Sequence, residues 1–140
     1  MLKEEGFNTC IDTNGSILNE SVKELMQYTD LVLLDVKEFN EEAHRQLIGA
    51  SNKATLRMAE YLHSINQPVW LRYVLVPGYS DNLEHLHDLG RFLQPMQNIE
   101  KLEIQPYHKL GAHKYEALGW NYELEGVEQN TTEQLRVAKE

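Results

Sequence analysis

Four short runs of strand-forming residues, at 7–12 (FNTCID), 31–36 (LVLLDV), 69–76 (VWLRYVLV) and 99–105 (IEKLEIQ), alternate with stretches whose apolar residues recur at helical spacing. This alternation constrains the fold more than any other feature. Two parallel strands need a crossover long enough to hold a helix, and repeated strand-helix-strand units therefore build a parallel sheet. After the first run, Asn14-Gly15 reads as a turn, and Ile17, Val22, Leu25 and Met26 as one face of a helix. Further helices are expected over 41–48, with Asn40 as N-cap, and over 52–66, stopped by Pro68. The loop 77–81 (PGYSD) leads into a helix over 82–93. Residues 106–119 read as a loop with one short helix, and a terminal helix over 131–140 starts at Thr131 or Thr132. The expected class is α/β, with about four parallel strands and helices covering the sheet faces. A doubly wound sheet and a partial β/α barrel both satisfy the pattern. Residues 2–5 read as the last turn of a helix closed by Gly6, so the first strand enters mid-series and forms an exposed edge.

The 140 residues suit one domain, and 41% apolar with 25% charged residues is an ordinary globular composition. A net charge of −9 gives no electrostatic attraction to nucleic acid or anionic membranes. The single Cys10 excludes an intrachain disulfide and any cluster needing three or four thiolates from this chain alone. Residues 1–6 lack a basic-then-apolar signal and no apolar run spans a bilayer, so a cytoplasmic location is expected. Asn130-Thr131-Thr132 fits a glycosylation acceptor but reads as a polar loop.

Parallel α/β sheets bind ligands at the C-terminal ends of their strands. All four expected strands carry polar groups there: Asp12-Thr13-Asn14, Asp35-Val36-Lys37, Arg72 within its apolar run, and Gln105-Pro106-Tyr107-His108. Asp35 and Arg72 are the most informative, because a charge inside an apolar run costs several kcal/mol unless paired or liganded. Asp35 is either a ligand-facing carboxylate or a structural ion-pair partner of Lys37 or Arg72. Lys37, on the same strand face as Asp35, can meet a carboxylate or ribose, or face solvent. Asp12 and Thr13 offer hard oxygens to a small cation, or cap the next helix. His108 can donate to a ligand or stand solvated. His85 and His87 point to different helix faces and make a poor metal pair. His44, His63 and His113 have no partner at ligand spacing. No phosphate loop, nucleophile elbow or zinc-protease helix is present. Cys10 reads as a small buried strand residue.

Taken together, the segments Cys10-Ile11-Asp12-Thr13-Asn14-Gly15, Leu34-Asp35-Val36-Lys37, 71–81 (LRYVLVPGYSD) and 106–111 (PYHKLG), followed by His113-Lys114-Tyr115, resemble the pyruvate formate-lyase activating enzymes. These are radical S-adenosylmethionine (SAM) proteins that activate glycyl-radical enzymes. The similarity runs from about Gly6 nearly to the C-terminus. It implies a partial β/α barrel of the radical SAM type in which a 4Fe-4S cluster reductively cleaves SAM and the resulting radical abstracts hydrogen from a glycine of the target enzyme. It further implies that Asp35, Val36, Lys37 and His108 contact SAM and that Arg72 lies beside it. Asp12, Thr13 and Asp35, with the Leu33 backbone, match a monovalent-cation site. Implied partners are a glycyl-radical enzyme, pyruvate formate-lyase, and an electron donor such as flavodoxin, with no nucleic acid or membrane.

The family's Cys-x3-Cys-x2-Cys cluster loop and its Gly-Gly-Glu motif are not in this sequence. The expectation is therefore that residues 1–140 form the C-terminal portion of a single radical SAM domain, inactive alone. The alternative is a non-catalytic fragment or split half that binds SAM or the glycyl-radical protein.

Overall fold

The computed structural model describes residues 2–140. Four parallel strands, β1 (Cys10–Thr13), β2 (Leu31–Val36), β3 (Val69–Leu75) and β4 (Ile99–Pro106), lie side by side in chain order. That order decides between the two architectures. A doubly wound sheet reverses direction at a switch point, whereas here each crossover moves one place the same way. Crossovers of one hand and one direction put every helix on the same face, which is barrel geometry.

The crossovers are α1 (Glu20–Met26), the pair α2 (Glu41–Ile48) and α3 (Lys53–Ser64), and α4 (Leu83–Leu93). Asparagine is the N-cap of all four, and three of these side chains, Asn19, Asn40 and Asn82, accept from the Val22, Ala43 and Glu84 backbone N–H groups. After β4 come a 3-10 turn (Lys109–Gly111), α5 (Ala112–Ala117) and α6 (Thr132–Val137). Thr131 and Gln134 form a reciprocal capping box on α6. At the other end, Gly6 (φ +80°) donates to the Lys3 carbonyl and Phe7 to Leu2, a Schellman-type closure of the turn at residues 2–6.

One face of the sheet builds the core. Val32, Leu34 and Val36 of β2 and Leu71, Tyr73 and Leu75 of β3 are buried with Met58, Ala59 and Leu62 of α3 and Leu89 and Leu93 of α4. Each large apolar side chain buried there contributes about 2 kcal/mol relative to exposure. The intervening residues form the opposite, open face: Cys10 and Asp12, Leu33 and Asp35, Trp70, Arg72 and Val74, Glu103 and Gln105. The helices cover one sheet face, because every crossover falls on the same side, as the expected partial barrel requires. Two expectations about β1 are corrected. Cys10 is exposed rather than buried, since it shares strand parity with Asp12 and turns to the open face. Strand β1 begins at Cys10, three residues later than expected, and among the described residues pairs only with β2.

Candidate functional site

The strands run in one direction, so their C-terminal ends bring Asp12, Asp35, Lys37 and Arg72 to one rim of the open face. Parallel register sets Asp35 directly opposite Arg72. Arg72 Nε donates to Asp35 Oδ1 at 2.7 Å, and its Nη2 to Asp12 Oδ1 at 2.5 Å. Lys37 Nζ donates to the other Asp35 oxygen at 3.0 Å. Partial burial opposes the Arg72 charge, but hydrogen bonds to Asp12 and Asp35 outweigh it and raise its affinity for the proton. The ion-pair reading of Asp35 is realised with both candidate partners. Lys37 nonetheless keeps access to the cleft beyond it.

That cleft, of about 880 Å³, opens past the strand ends, between the β3 terminus and the segment after β4. Val74 and Val76 give it an apolar wall, Lys37 and His108 reach it with polar groups, and Tyr79 and Tyr115 flank it. Tyr107 anchors the later wall: its N–H donates to Asn130 Oδ1 at 2.8 Å and its hydroxyl meets that of Tyr122 at 2.5 Å. Burial and the Tyr122 contact push the Tyr107 phenol up to about 12, so it stays a neutral hydrogen-bonding group. Asn130 thus ties the C-terminal segment to the strand end. An apolar wall facing a cation and an imidazole suits a flat heteroaromatic ligand with polar or charged substituents.

The structure does not gather every expected residue. Val36 turns into the core and can meet a ligand only through its backbone. Thr13 lies on the covered-face side of β1, where its hydroxyl accepts from Gly15 N–H at 3.0 Å. Asp12 and Asp35 flank one guanidinium. Among the described residues, no three His, Cys, Asp or Glu side chains come together to hold a metal ion.

Sequence reasoning missed Glu38, which is 0% exposed, and Glu103, which shares the open face with the expected Gln105. Lys101 and Gln105 hydrogen-bond the Glu103 carboxylate and hold its pKa below the usual carboxylate range. Glu38 had a signal: it continues the every-second-residue series Val32, Leu34, Val36 that the core buries.

A singly wound parallel sheet, covered on one face and charged along the rim of the other, defines a partial β/α barrel with a ligand cleft at its strand ends. Residues 1–90 match the radical SAM superfamily, and the chain belongs to that superfamily. It is 47% identical over 139 residues to pyruvate formate-lyase 1-activating enzyme of Escherichia coli K12, covering 98% of this chain and 56% of that protein. It is 45% identical to pyruvate formate-lyase-activating enzyme of Staphylococcus aureus USA300, covering 98% of this chain and 57% of that protein. The chain therefore spans a little over half the length of these curated relatives.

In fold, it matches a domain of pyruvate-formate lyase-activating enzyme from Bacteroides vulgatus with a TM-score of 0.78 and 18% identity, over 97% of this chain and 75% of that one. Streptococcus suis SuiB bound to S-adenosylmethionine matches with a TM-score of 0.62 and 16% identity, over 74% of this chain and 24% of that one. The cleft's apolar wall and polar rim fit the adenosyl part of SAM. The donor set does not fit a 4Fe-4S cluster, because one exposed cysteine cannot supply three thiolates.

Proposed function

We propose that this chain carries the SAM-binding rim of an activase for a glycyl-radical enzyme, pyruvate formate-lyase. In this reading residues 1–140 are the C-terminal portion of one radical SAM partial-barrel domain, and the cluster cysteines come from a preceding portion. The observation that carries the reading is the convergence of Lys37, Val74, Val76 and His108 on one cleft next to the Asp35–Arg72 pair. Lys37 and His108 hold the polar groups of the nucleoside, Val74 and Val76 exclude water from one side of it, and Asp35 orients Lys37. Arg72 fixes Asp35 from the neighbouring strand. When bound, SAM would supply the 5′-deoxyadenosyl group for hydrogen removal from a glycine of the partner under anaerobic conditions, with the electron for its cleavage coming from a cluster held outside these residues and methionine as the leaving group.

A monovalent cation at Asp12 and Asp35 belongs to the same reading, where it competes with Arg72 for the two carboxylates; Thr13, whose side chain turns to the covered side, would reach it only through its backbone. The setting is cytoplasmic, with a flavodoxin-like electron donor and no nucleic-acid or membrane partner. No helix among the described residues is long and apolar enough to cross a membrane. The second reading, a chain that binds SAM or the glycyl-radical protein without chemistry, is favoured by the single cysteine.

Anaerobic reconstitution with iron and sulfide separates the two readings. It is run on this chain alone and with a polypeptide carrying the Cys-x3-Cys-x2-Cys loop, followed by electron paramagnetic resonance and assay of 5′-deoxyadenosine. Cluster and product in the mixture alone support the activase. A cluster signal from the 140 residues alone overturns the assignment of the cysteines to another portion. Cluster without SAM cleavage in the mixture favours the second reading.

A further inference from the structure

We infer that Glu38, a fully buried carboxylate outside the family-like motif, is a positioning residue that locks together the two loops walling the ligand cleft. The inference rests on the SAM-binding reading above. Glu38 follows Lys37 directly and turns to the covered side of the sheet, where its side chain is 0% exposed. Such a carboxylate persists only where donors surround it. Its Oε1 accepts from Asn40 N–H at 2.7 Å and lies 3.2 Å from His85 Nδ1 on α4. Its Oε2 lies 3.2 Å from the Tyr73 hydroxyl, whose one proton is shared between that oxygen and the Ser80 carbonyl at 2.9 Å. Burial, with the Glu38 charge second, pushes the Tyr73 phenol well above its ordinary value, so the hydroxyl keeps its proton as a donor.

Ser80 closes the circuit. Its hydroxyl accepts from Val76 N–H at 2.8 Å and donates to the Val74 carbonyl at 2.9 Å. Val74 and Val76 are the residues that wall the cleft, and Lys37 is its cation. From the backbone side, Asn52 Nδ2 donates to the carbonyls of Glu38 at 3.1 Å and Phe39 at 2.5 Å. The β2–α2 and β3–α4 loops are thus joined through one carboxylate that lies outside the cleft lining, with His85 of α4 beside it. Removing it frees Lys37 from Val74 and Val76 without changing any group in the cleft. Misplacement of binding groups by a fraction of an ångström is enough to weaken a ligand.

The test is equilibrium binding of SAM to the 140-residue chain, with thermal unfolding of each variant recorded alongside. Glu38→Ala is expected to weaken binding about 10-fold, and Glu38→Gln, which keeps the acceptor for Asn40 and a polar partner for Tyr73, to restore it to within about 3-fold. Leu62→Ala, a core truncation in α3 remote from the cleft, is expected to lower Tm while leaving the Kd within about 2-fold. Where Glu38→Ala does not fold, Tyr73→Phe makes the same test by removing the bridging hydroxyl alone, and is expected to weaken binding about 3-fold. Glu38→Ala or Tyr73→Phe binding like the unmutated chain, or Leu62→Ala losing as much affinity as Glu38→Ala, overturns the positioning role. Failure of the unmutated chain to bind SAM overturns the underlying reading instead, and the role with it.

Discussion

Arg72 on β3 and Asp35 on β2 face each other across the parallel register, and Arg72 Nε donates to Asp35 Oδ1 at 2.7 Å. The same guanidinium reaches Asp12 on β1, so one side chain ties three strands together at the end where the ligand cleft opens. Guanidinium geometry makes this possible: a planar fork serves two carboxylates at once, which a lysine ammonium on a flexible stem does less well.

A double-mutant cycle of Arg72→Met and Asp35→Asn is expected to show a coupling energy of about 1 kcal/mol in urea unfolding, falling in high salt. The pair is about four-fifths buried, at 20% and 21% side-chain exposure, so solvent screening leaves part of the interaction intact. Strictly additive single-mutant effects would show that the rim is arranged without being coupled.

Gly15 sits at the turn after β1 with φ +67°, and a Cβ there would come within 3.0 Å of Leu34 Cδ1 and of Met58 Cβ. Gly15→Ala combines left-handed strain with a clash in the core and is expected to cost about 2 kcal/mol. Gly49→Ala, at φ +78° with open space around it, carries the backbone strain alone and should cost about 1 kcal/mol. Equal losses at the two sites would contradict the close packing of α3 on the β1 turn.

Lys53, Arg45 and Ser51, in that order, hold the Glu41 carboxylate down from 4.5 to about 2. A depressed folded-state pKa stabilises the fold above the unfolded value, and that stabilisation disappears as pH falls through the folded value. The Tm difference between the unmutated chain and Glu41→Gln is therefore expected to be full above about pH 5 and to vanish near pH 2. Thermal melts across this range check it, and a difference independent of pH would contradict it.

Asp35 and Arg72 were legible in the sequence because each places a charge where the run around it is apolar, and burial makes such a residue conspicuous. The order β1-β2-β3-β4 was not legible: the same strand-helix rhythm serves a doubly wound sheet, and only the direction of each crossover separates the two. Residue parity along the strands held more than was read from it. Cys10 shares its face with Asp12, and Val36 shares the buried face of Leu34.

The partners of Glu38 were not legible, because Tyr73 and His85 lie 35 and more residues away and meet it only through the crossover. The ligand itself came from the resemblance. Charges and an apolar wall specify a class of molecule, and within it the proposed reading takes SAM from the family.

Titration calorimetry of the 140-residue chain with SAM tests the central claim most directly. The account predicts saturable binding at one site per chain, weakened about 10-fold each by Lys37→Ala and His108→Ala, corresponding to about 1.4 kcal/mol apiece. Absence of saturable binding, or affinities unchanged in both variants, would contradict it.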